Sequence, residues 1–237
     1  YKRQIDYVAT GHYAKIEKGE DGKYILRASE AVKKDQSYVL YNFTQEQLAH
    51  TLMPLGGYNK DWVRQKAEEL GLGVAHKPDS QEICFVEDDD YAKFITDYSG
   101  YKPKEGDILD VNGNVIGKHR GLIYYTIGQR KGIGAYGRPM FVMKIDAENN
   151  TITLGEKGME FSNELTAYDV NFVSGEFPKE NMLITAKVRY QAPPAAAMLC
   201  PQKDGTVKLM FPEPQRAVTP GQAVVFYDGD IVLGGGT

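Results

Sequence analysis

The sequence predicts an α/β stretch over roughly its first hundred residues, followed by a β-rich remainder that closes in a small barrel or sandwich. Two observations carry this. Capped, amphipathic helix patterns occur only before Gly100, and beyond it short alternating runs are separated by tight-turn residues. Thr44 with Gln47 forms a capping box, and Phe43 with Leu48 can staple it, so a helix should begin near Gln45 and stop at Pro54 or Gly56-Gly57. Asn59 caps a second helix in which Val63, Ala67 and Leu70 fall at helical spacing, and Gly71 ends it. Tyr91, Phe94, Ile95 and Tyr98 give the apolar face of a third, opened by Asp88, Asp89 and Asp90, whose charges suit a helix N-terminus.

After Gly100, Asn112-Gly113 lies between ILDV and NVIG, and Asp228-Gly229 between VVFY and DIVL; both read as type I′ hairpins. Glu148-Asn149-Asn150 between FVMKI and TITL is a longer turn of the same kind. Alternation from Leu183 to Tyr190 places Thr185, Lys187 and Arg189 on one face and Ile184, Ala186, Val188 and Tyr190 on the other.

At 237 residues, 42% of them apolar and 25% charged, the chain is globular in composition. No run of 18 apolar residues is present, and the first residues lack the charged-then-apolar order of a signal peptide, so a soluble, cytoplasmic protein without membrane contact is expected. The opening at Tyr1 without Met reads as a cut through a larger protein. Two cysteines far apart in sequence fit neither a disulfide framework nor a zinc site, and no metal site is expected.

A net charge of −4 argues against coating nucleic acid by bulk charge. Local charge differs. Val111 to Ile145 contains no acid but has Lys118, Arg120, Arg130, Lys131, Arg138 and Lys144, and Asn181 to Lys203 is again acid-free with Lys187, Arg189 and Lys203. Such islands in an acidic chain point either to a phosphate-facing side or to a solvated face with its counter-ions elsewhere in three dimensions.

Four short motifs could carry chemistry. Gly132 to Gly137 satisfies G-x-G-x-x-G, but Pro139 follows where a phosphate-binding helix would have to start, so a glycine-rich basic loop is the better reading. Cys84, in Asp79-Ser80-Gln81-Glu82-Ile83-Cys84-Phe85, is either a small buried hydrophobe or a thiolate stabilised by neighbours such as His76 and Lys77. Cys200, on a strand-like run, has no such neighbours. Gly11 and His12 follow an apolar strand, at the end where open α/β sheets bind ligands. Lys33 to Tyr38 is a polar hinge.

DYVATGHYAKI, LRASEAVKKDQSYVLY, PLGGYNKDWVRQKAEELGL, KPDSQEICF, GLIYYTIGQRKGIG, KVRYQAPP and VTPGQAVVFYDGDIVLGGG stand in the order of the tRNA-specific 2-thiouridylases, and the chain resembles that family over essentially its whole length. The resemblance implies the remnant of a PP-loop α/β domain over residues 1–97, a small central β-rich domain over 98–164 and a C-terminal β-barrel over 165–237. It implies ATP-dependent thiolation of the wobble uridine of tRNAs for Lys, Glu and Gln, with Mg²⁺ assisting. Cys84 would carry a persulfide loaded by a cysteine desulfurase or sulfur-relay protein. Gly11 would line the ATP site, and His12, Lys34, Asp35, Gln36, Arg189, Tyr190 and Gln222 would touch tRNA. The family's S-G-G-x-D-S loop, its first catalytic Cys and a nearby Asp have no counterpart in these residues, so the chain alone is expected to be inactive. A noncatalytic RNA-binding module and a PP-loop ligase for a small molecule are the rival readings; the acid-free basic segments favour a polyanionic macromolecule over the latter.

Overall fold

A computed structural model of the chain describes residues 5–31, 34–73, 75, 86 and 90–237. Sheet predominates, with few helices. Two compact units form: one from 1–77, 163–214 and 220–237, the other from 78–162 and 215–219.

In the first unit β1 (Val8–Ala9) pairs in parallel with β4 (Thr51–Leu52), while β2 (Ala14–Lys18) and β3 (Tyr24–Ala28) form an antiparallel hairpin. Helix α1 (Gln45–Ala49) has the expected capping box: Thr44 Oγ1 accepts from Gln47 N at 3.2 Å, and Thr44 N donates to Gln47 Oε1 at 2.9 Å. It ends after Ala49, earlier than Pro54, because the chain turns directly into β4. Helix α2 (Lys60–Glu69) is capped by Asn59, whose Oδ1 accepts from Trp62 N at 2.8 Å. It closes at Gly71 (φ +66°), with Leu72 N donating to Ala67 O and Gly71 N to Glu68 O, both at 2.9 Å. None of its residues is buried; Trp62 stacks on Tyr58 with centroids 3.9 Å apart, and Lys66 lies over the indole.

In the second unit α3 (Tyr91–Ser99) starts at Asp90, which accepts from Lys93 N at 2.9 Å; Asp88 and Asp89 lie outside the described residues. The expected apolar face is not a core face. Only Ala92 is buried, and Phe94 and Tyr98 stack on one another at the i,i+4 spacing instead. Strands β5 (Gly106–Leu109), β6 (Val115–His119), β7 (Met140–Asp146) and β8 (Thr151–Glu156) make a sheet in the order β6-β5-β8-β7, with β5 and β8 parallel. Ile108, Val142, Ile152 and Leu154 form its core. The Asn112-Gly113 turn is not type I′: only Gly113 has positive φ, and Asp110 N donates to Asn114 O at 2.9 Å across a three-residue loop. Asp110 decides this, because its carboxylate accepts from the backbone N–H groups of both Asn112 and Asn114. No helix follows Gly137, since β7 begins at Met140, as the glycine-rich-loop reading requires.

Strands β9 (Phe161–Ala167), β10 (Asn171–Phe172), β11 (Met182–Lys187), β12 (Ala195–Pro201), β13 (Val207–Arg216), β14 (Val224–Asp228) and β15 (Ile231–Gly236) complete a nine-stranded sheet with the β2/β3 hairpin. Its order is β2-β3-β15-β14-β11-β12-β13-β9, with β10 also on β15. Asp228 pairs with Ile231, so the connecting loop is Gly229-Asp230 and only Gly229 has positive φ. That is the II′ pattern, one residue out of register from the expected I′ turn. Val224 and Phe226 enter a core with Ile184, Leu199, Leu209 and Phe211, whereas Val225 and Tyr227 enter another with Ala14, Leu26, Tyr38 and Leu48. Glycine at 234–236 admits close neighbours: a Cβ on Gly234 would stand 2.1 Å from Asn171 O, and one on Gly235 would stand 2.6 Å from the Tyr41 ring.

β3 meets β15 only through Arg27 and Ile231 in the ladder. Further along β3 a side chain does the pairing. Gln45 Oε1 accepts from Tyr24 N at 2.8 Å, and its Nε2 donates to Tyr24 O at 2.8 Å and Val173 O at 2.7 Å. Gln45→Ala leaves three backbone groups without these partners and is expected to lower unfolding free energy by about 2 kcal/mol, read from the urea midpoint. A midpoint unchanged from the parent would show that water replaces the amide at no cost.

Candidate functional site

The β1 strand delivers Gly11 and His12 to its C-terminal end, because Thr10 N is still bonded to Leu52 O at 3.0 Å. Thr10 Oγ1 lies 2.8 Å from His12 Nδ1 and accepts from His12 N at 3.3 Å. With Nδ1 engaged by the hydroxyl, Nε2 is the ring nitrogen left for an outside partner. Gly11 is exposed, and a Cβ there would meet only Leu55 Cδ1 at 3.8 Å, so internal packing does not demand glycine.

The loop is tied to residues 34–36. Gln36 Oε1 accepts from Tyr13 N at 3.0 Å while Gln36 N donates to Tyr13 O at 2.9 Å. Asp35 Oδ1 accepts from Ser29 N at 2.9 Å and Ser37 N at 3.3 Å, and its Oδ2 accepts from Ser37 Oγ at 2.7 Å. Lys34 N donates to Ala31 O at 2.7 Å. Asp35 and Gln36 therefore spend their side chains on the protein itself, and Asp35 offers its backbone carbonyl to Tyr190, whose hydroxyl donates to it at 3.1 Å.

Tyr190 departs from the simple alternation. β11 ends at Lys187 and the chain turns through 188–190, so Tyr190 is 41% exposed instead of joining buried Ile184, Ala186 and Val188. Its ring meets Tyr38 edge-on, with centroids 5.7 Å apart at 67°, and Lys187 Nζ stands 5.7 Å from the Tyr38 centroid and 5.6 Å from that of Tyr190. Tyr38 is buried and its hydroxyl donates to Ala223 O at 2.5 Å, next to exposed Gln222. Burial, with Tyr41 nearby, pushes the Tyr38 phenol up to about 12, and burial raises Tyr227 too. Both phenols stay protonated and do not act as bases. Arg189 is half-buried; among the described residues neither it nor Lys187 is in an ion pair.

Gly11, His12, residues 34–36, Arg189, Tyr190 and Gln222 all belong to the first unit; hydrogen bonds tie Tyr13, the neighbour of His12, to Gln36, and Tyr190 to Asp35. Cys84 lies outside the described residues. Cys200 sits half-buried on β12, paired with Lys208. The geometry adds Ser37, Tyr38 and Tyr227, for which the sequence carries no site signal; Lys187 already stands in the acid-free segment 181–203, on the face it shares with Arg189.

In the second unit, half of the basic island has counter-ions. Lys118 pairs with Asp107 at 2.5 Å, Arg138 with Glu156 at 2.7 Å and Lys144 with Asp146 at 3.1 Å, each acid lying outside the acid-free segment. Arg120 lies 4.1 Å from the Tyr124 centroid. Gln129 braces the remaining loop, accepting from Thr126 N at 2.8 Å and donating to Lys131 O at 2.8 Å, and Arg130 and Lys131 are left exposed. Among the described residues no three His, Cys, Asp or Glu side chains gather to hold a metal ion, and no helix is long and apolar enough to cross a membrane.

The sequence is similar to those of known proteins. A tRNA methyl transferase HUP domain profile matches residues 1–88, a tRNA methyl transferase PRC-barrel domain profile residues 92–156, and an aminomethyltransferase beta-barrel domain profile residues 162–237. The tRNA-specific 2-thiouridylase MnmA of Acetivibrio thermocellus is 58% identical over 234 residues, covering 98% of this chain and 65% of the relative. The chain belongs to the tRNA-specific 2-thiouridylase family. Two further members so named are similar to it: that of Clostridioides difficile, 56% identical over 238 residues (99% of this chain, 66% of the relative), and that of Clostridium botulinum, 52% over 233 residues (98% and 64%). The chain thus spans 64–66% of the length of these 2-thiouridylases.

In this chain the Asp35 carboxylate fixes the peptide that holds Tyr190. Asp35→Ala is expected to cost about 2–3 kcal/mol in unfolding free energy, because it strips partners from Ser29 N, Ser37 N and buried Ser37 Oγ, and to speed amide exchange at Ser29 and Ser37. Retained protection of those amides would show that they find other acceptors.

Proposed function

We propose that this chain is the tRNA-gripping and sulfur-donating part of an ATP-dependent enzyme that replaces O2 of the tRNA wobble uridine by sulfur. The observation that carries the reading is the cluster of Lys187, Arg189 and exposed Tyr190, hydrogen-bonded to the His12 loop through Asp35 and Gln36, in a chain 58% identical to a protein of that name. Two cations without counter-ions among the described residues suit phosphates, and a fixed aromatic face suits an unstacked base. Arg130 and Lys131, held outward by the Gln129-braced turn, supply further phosphate contacts.

The parallel β1/β4 pair, with Gly11 at a strand's C-terminal end, supports reading residues 1–97 as the remnant of a PP-loop nucleotide-binding domain, followed by a central domain over 98–164 and a barrel over 165–237. On this reading Gly11 leaves space for ATP, and His12 Nε2, Lys34 and Gln222 contact tRNA, with Asp35 and Gln36 shaping that surface. The uridine carbonyl oxygen is a poor leaving group, and ATP supplies the adenylyl group that makes it a good one. The outer sulfur of a Cys84 persulfide, loaded by a cysteine desulfurase or relay protein, then attacks C2 as AMP departs, and the thiolate of the family's first cysteine, which has no counterpart in these residues, attacks Cys84 Sγ, breaking the S–S bond so that the sulfur stays on C2 and a disulfide is left behind. Mg²⁺ would assist loss of pyrophosphate, with no ligand set to name among the described residues. The substrates are tRNAs for Lys, Glu and Gln, in the cytoplasm. A polypeptide of these 237 residues, having no S-G-G-x-D-S run, does not adenylate by itself.

The test is tRNA affinity against salt. Log Kd plotted against log salt is expected to be steep, and each of Arg130→Met, Lys131→Met and Arg189→Met should reduce the slope by roughly one. Salt-independent binding, or none, would sink the proposal. For the chemistry, Cys84→Ser in the complete enzyme is expected to abolish thiolation at unchanged tRNA affinity, while Cys200→Ser leaves both intact; persulfide labelling found on Cys200 would reverse that assignment.

A further inference from the structure

Residues 215–219 belong to the second unit, although β13, which Arg216 ends, lies mainly in the first. Side chain and backbone both hold them there. The Glu160 carboxylate, its side chain only 2% exposed, accepts from Arg216 Nε at 3.3 Å, and Glu160 O accepts from Ala217 N at 2.7 Å. The Arg216 guanidinium also stands 5.7 Å from the centroid of Phe141 on β7. Glu160 is charged in this setting. Burial alone would raise its pKa, but the N–H groups of Glu160 itself and of Gly158, with the Arg216 guanidinium, outweigh burial and hold the carboxyl below its ordinary value.

What this segment meets is the basic turn. Ala217 is buried at φ +51°, a conformation that a residue with a Cβ keeps only where its surroundings impose it. Gly128, at φ +82°, approaches so closely that a Cβ on it would stand 3.0 Å from the Ala217 Cβ. Gly128 N donates to Val142 O at 2.7 Å, and Val142 N to Gln129 O at 3.0 Å. The turn is therefore tied to one strand by two hydrogen bonds and packed on the Ala217 methyl. Two bonds to a single strand fix the distance of the turn from β7 but leave it free to pivot about them; the methyl is the support that removes the pivot. Because the Gln129 amide braces the turn from Tyr124 O and Thr126 N to Lys131 O, a displacement at Gly128 is passed on to exposed Arg130 and Lys131.

From this chain of contacts we infer that Glu160 and Arg216 are positioning residues for RNA binding: they seat the Ala217 methyl against Gly128, and that seat sets where Arg130 and Lys131 present their charges. Neither needs to touch RNA. The inference rests on the phosphate role proposed for Arg130 and Lys131 and adds the residues that act on them from outside the turn.

The experiment uses the full chain and a tRNA transcript, with affinity read by fluorescence anisotropy over a salt series and folding by the thermal midpoint. Ala217→Gly deletes the methyl yet suits the left-handed backbone, so the midpoint should hold while affinity falls roughly 3- to 10-fold. Arg216→Met and Glu160→Gln should each give a loss of similar size, and adding Ala217→Gly to either should do little more, since all three act on one seat. Arg130→Met should lower the salt slope by roughly one in the parent and by clearly less in the Ala217→Gly background. Losses that multiply across Ala217→Gly and Arg130→Met overturn the inference, as does a lowered midpoint at unchanged affinity. If Arg216→Met alone lowers the slope while Glu160→Gln and Ala217→Gly leave it, Arg216 is itself a phosphate contact and the positioning role fails. Should Arg216→Met or Glu160→Gln not fold, Ala217→Gly combined with Arg130→Met decides. Absence of salt-dependent binding by the wild type, or no effect of Arg130→Met in it, instead overturns the underlying RNA-binding reading.

Discussion

The first unit is organised on one strand that has no solvent face. Val224 to Tyr227 are all buried, and successive side chains of a strand point to opposite sides, so β14 supplies alternate residues to two cores. One core is closed by β11, β12 and β13; the other is closed by Ala14, Leu26, Tyr38 and Leu48 from much earlier in the chain. Neither apolar layer can lose its partner without exposing a face of the same strand. The polar site inherits this. Tyr38 reaches Ala223 O and Ser37 Oγ lies 3.5 Å from Tyr227 OH, so the 35–38 turn is registered against β14 at both ends.

Where the backbone ladder cannot follow the packing, side chains complete it. Gln45 bonds Tyr24 and Val173, Asn171 Nδ2 donates to Tyr41 O at 2.8 Å, and Gln36 brackets Tyr13. These amides carry donor and acceptor on one rigid plane, which suits backbone groups left open where strands diverge. The three successive glycines of β15 serve the same junction differently, by removing the Cβ atoms that would hold Asn171 and Tyr41 away. The His12 loop and Tyr190 are thus held together by short polar links, not by a shared apolar contact.

Legibility in the sequence followed the range of the interaction. Caps at Thr44, Asn59 and Asp90 were readable because partner and cap are three residues apart, and the Lys187/Arg189 face because strand alternation is local. The double burial of β14 had a signal, an unbroken VVFY run, but which segments cover each face depends on contacts nearly two hundred residues away in sequence. The type I′ expectation at Asn112 and Asp228 failed for local reasons of a subtler kind: the Asp110 carboxylate selects a three-residue loop, and pairing of Asp228 with Ile231 shifts the other turn by one. Within the site, Asp35 and Gln36 looked like ligand contacts by resemblance. Only the three-dimensional arrangement reveals that their side chains are already bonded to Ser29, Ser37 and Tyr13.

The stacked Tyr58–Trp62 pair has a bearing on spectroscopy. Trp62 is the single tryptophan of the chain, and it sits on α2, a helix with no buried residue, against an exposed tyrosine and under Lys66. Indole emission therefore reports the state of that helix alone, and a melt followed by it can pass its midpoint with both β14 cores intact. Tyr38 and Tyr227 are chromophores of the opposite kind. Their phenols ionise only at strongly alkaline pH while buried, so the gain of phenolate absorbance at lower pH marks the opening of the sheet itself.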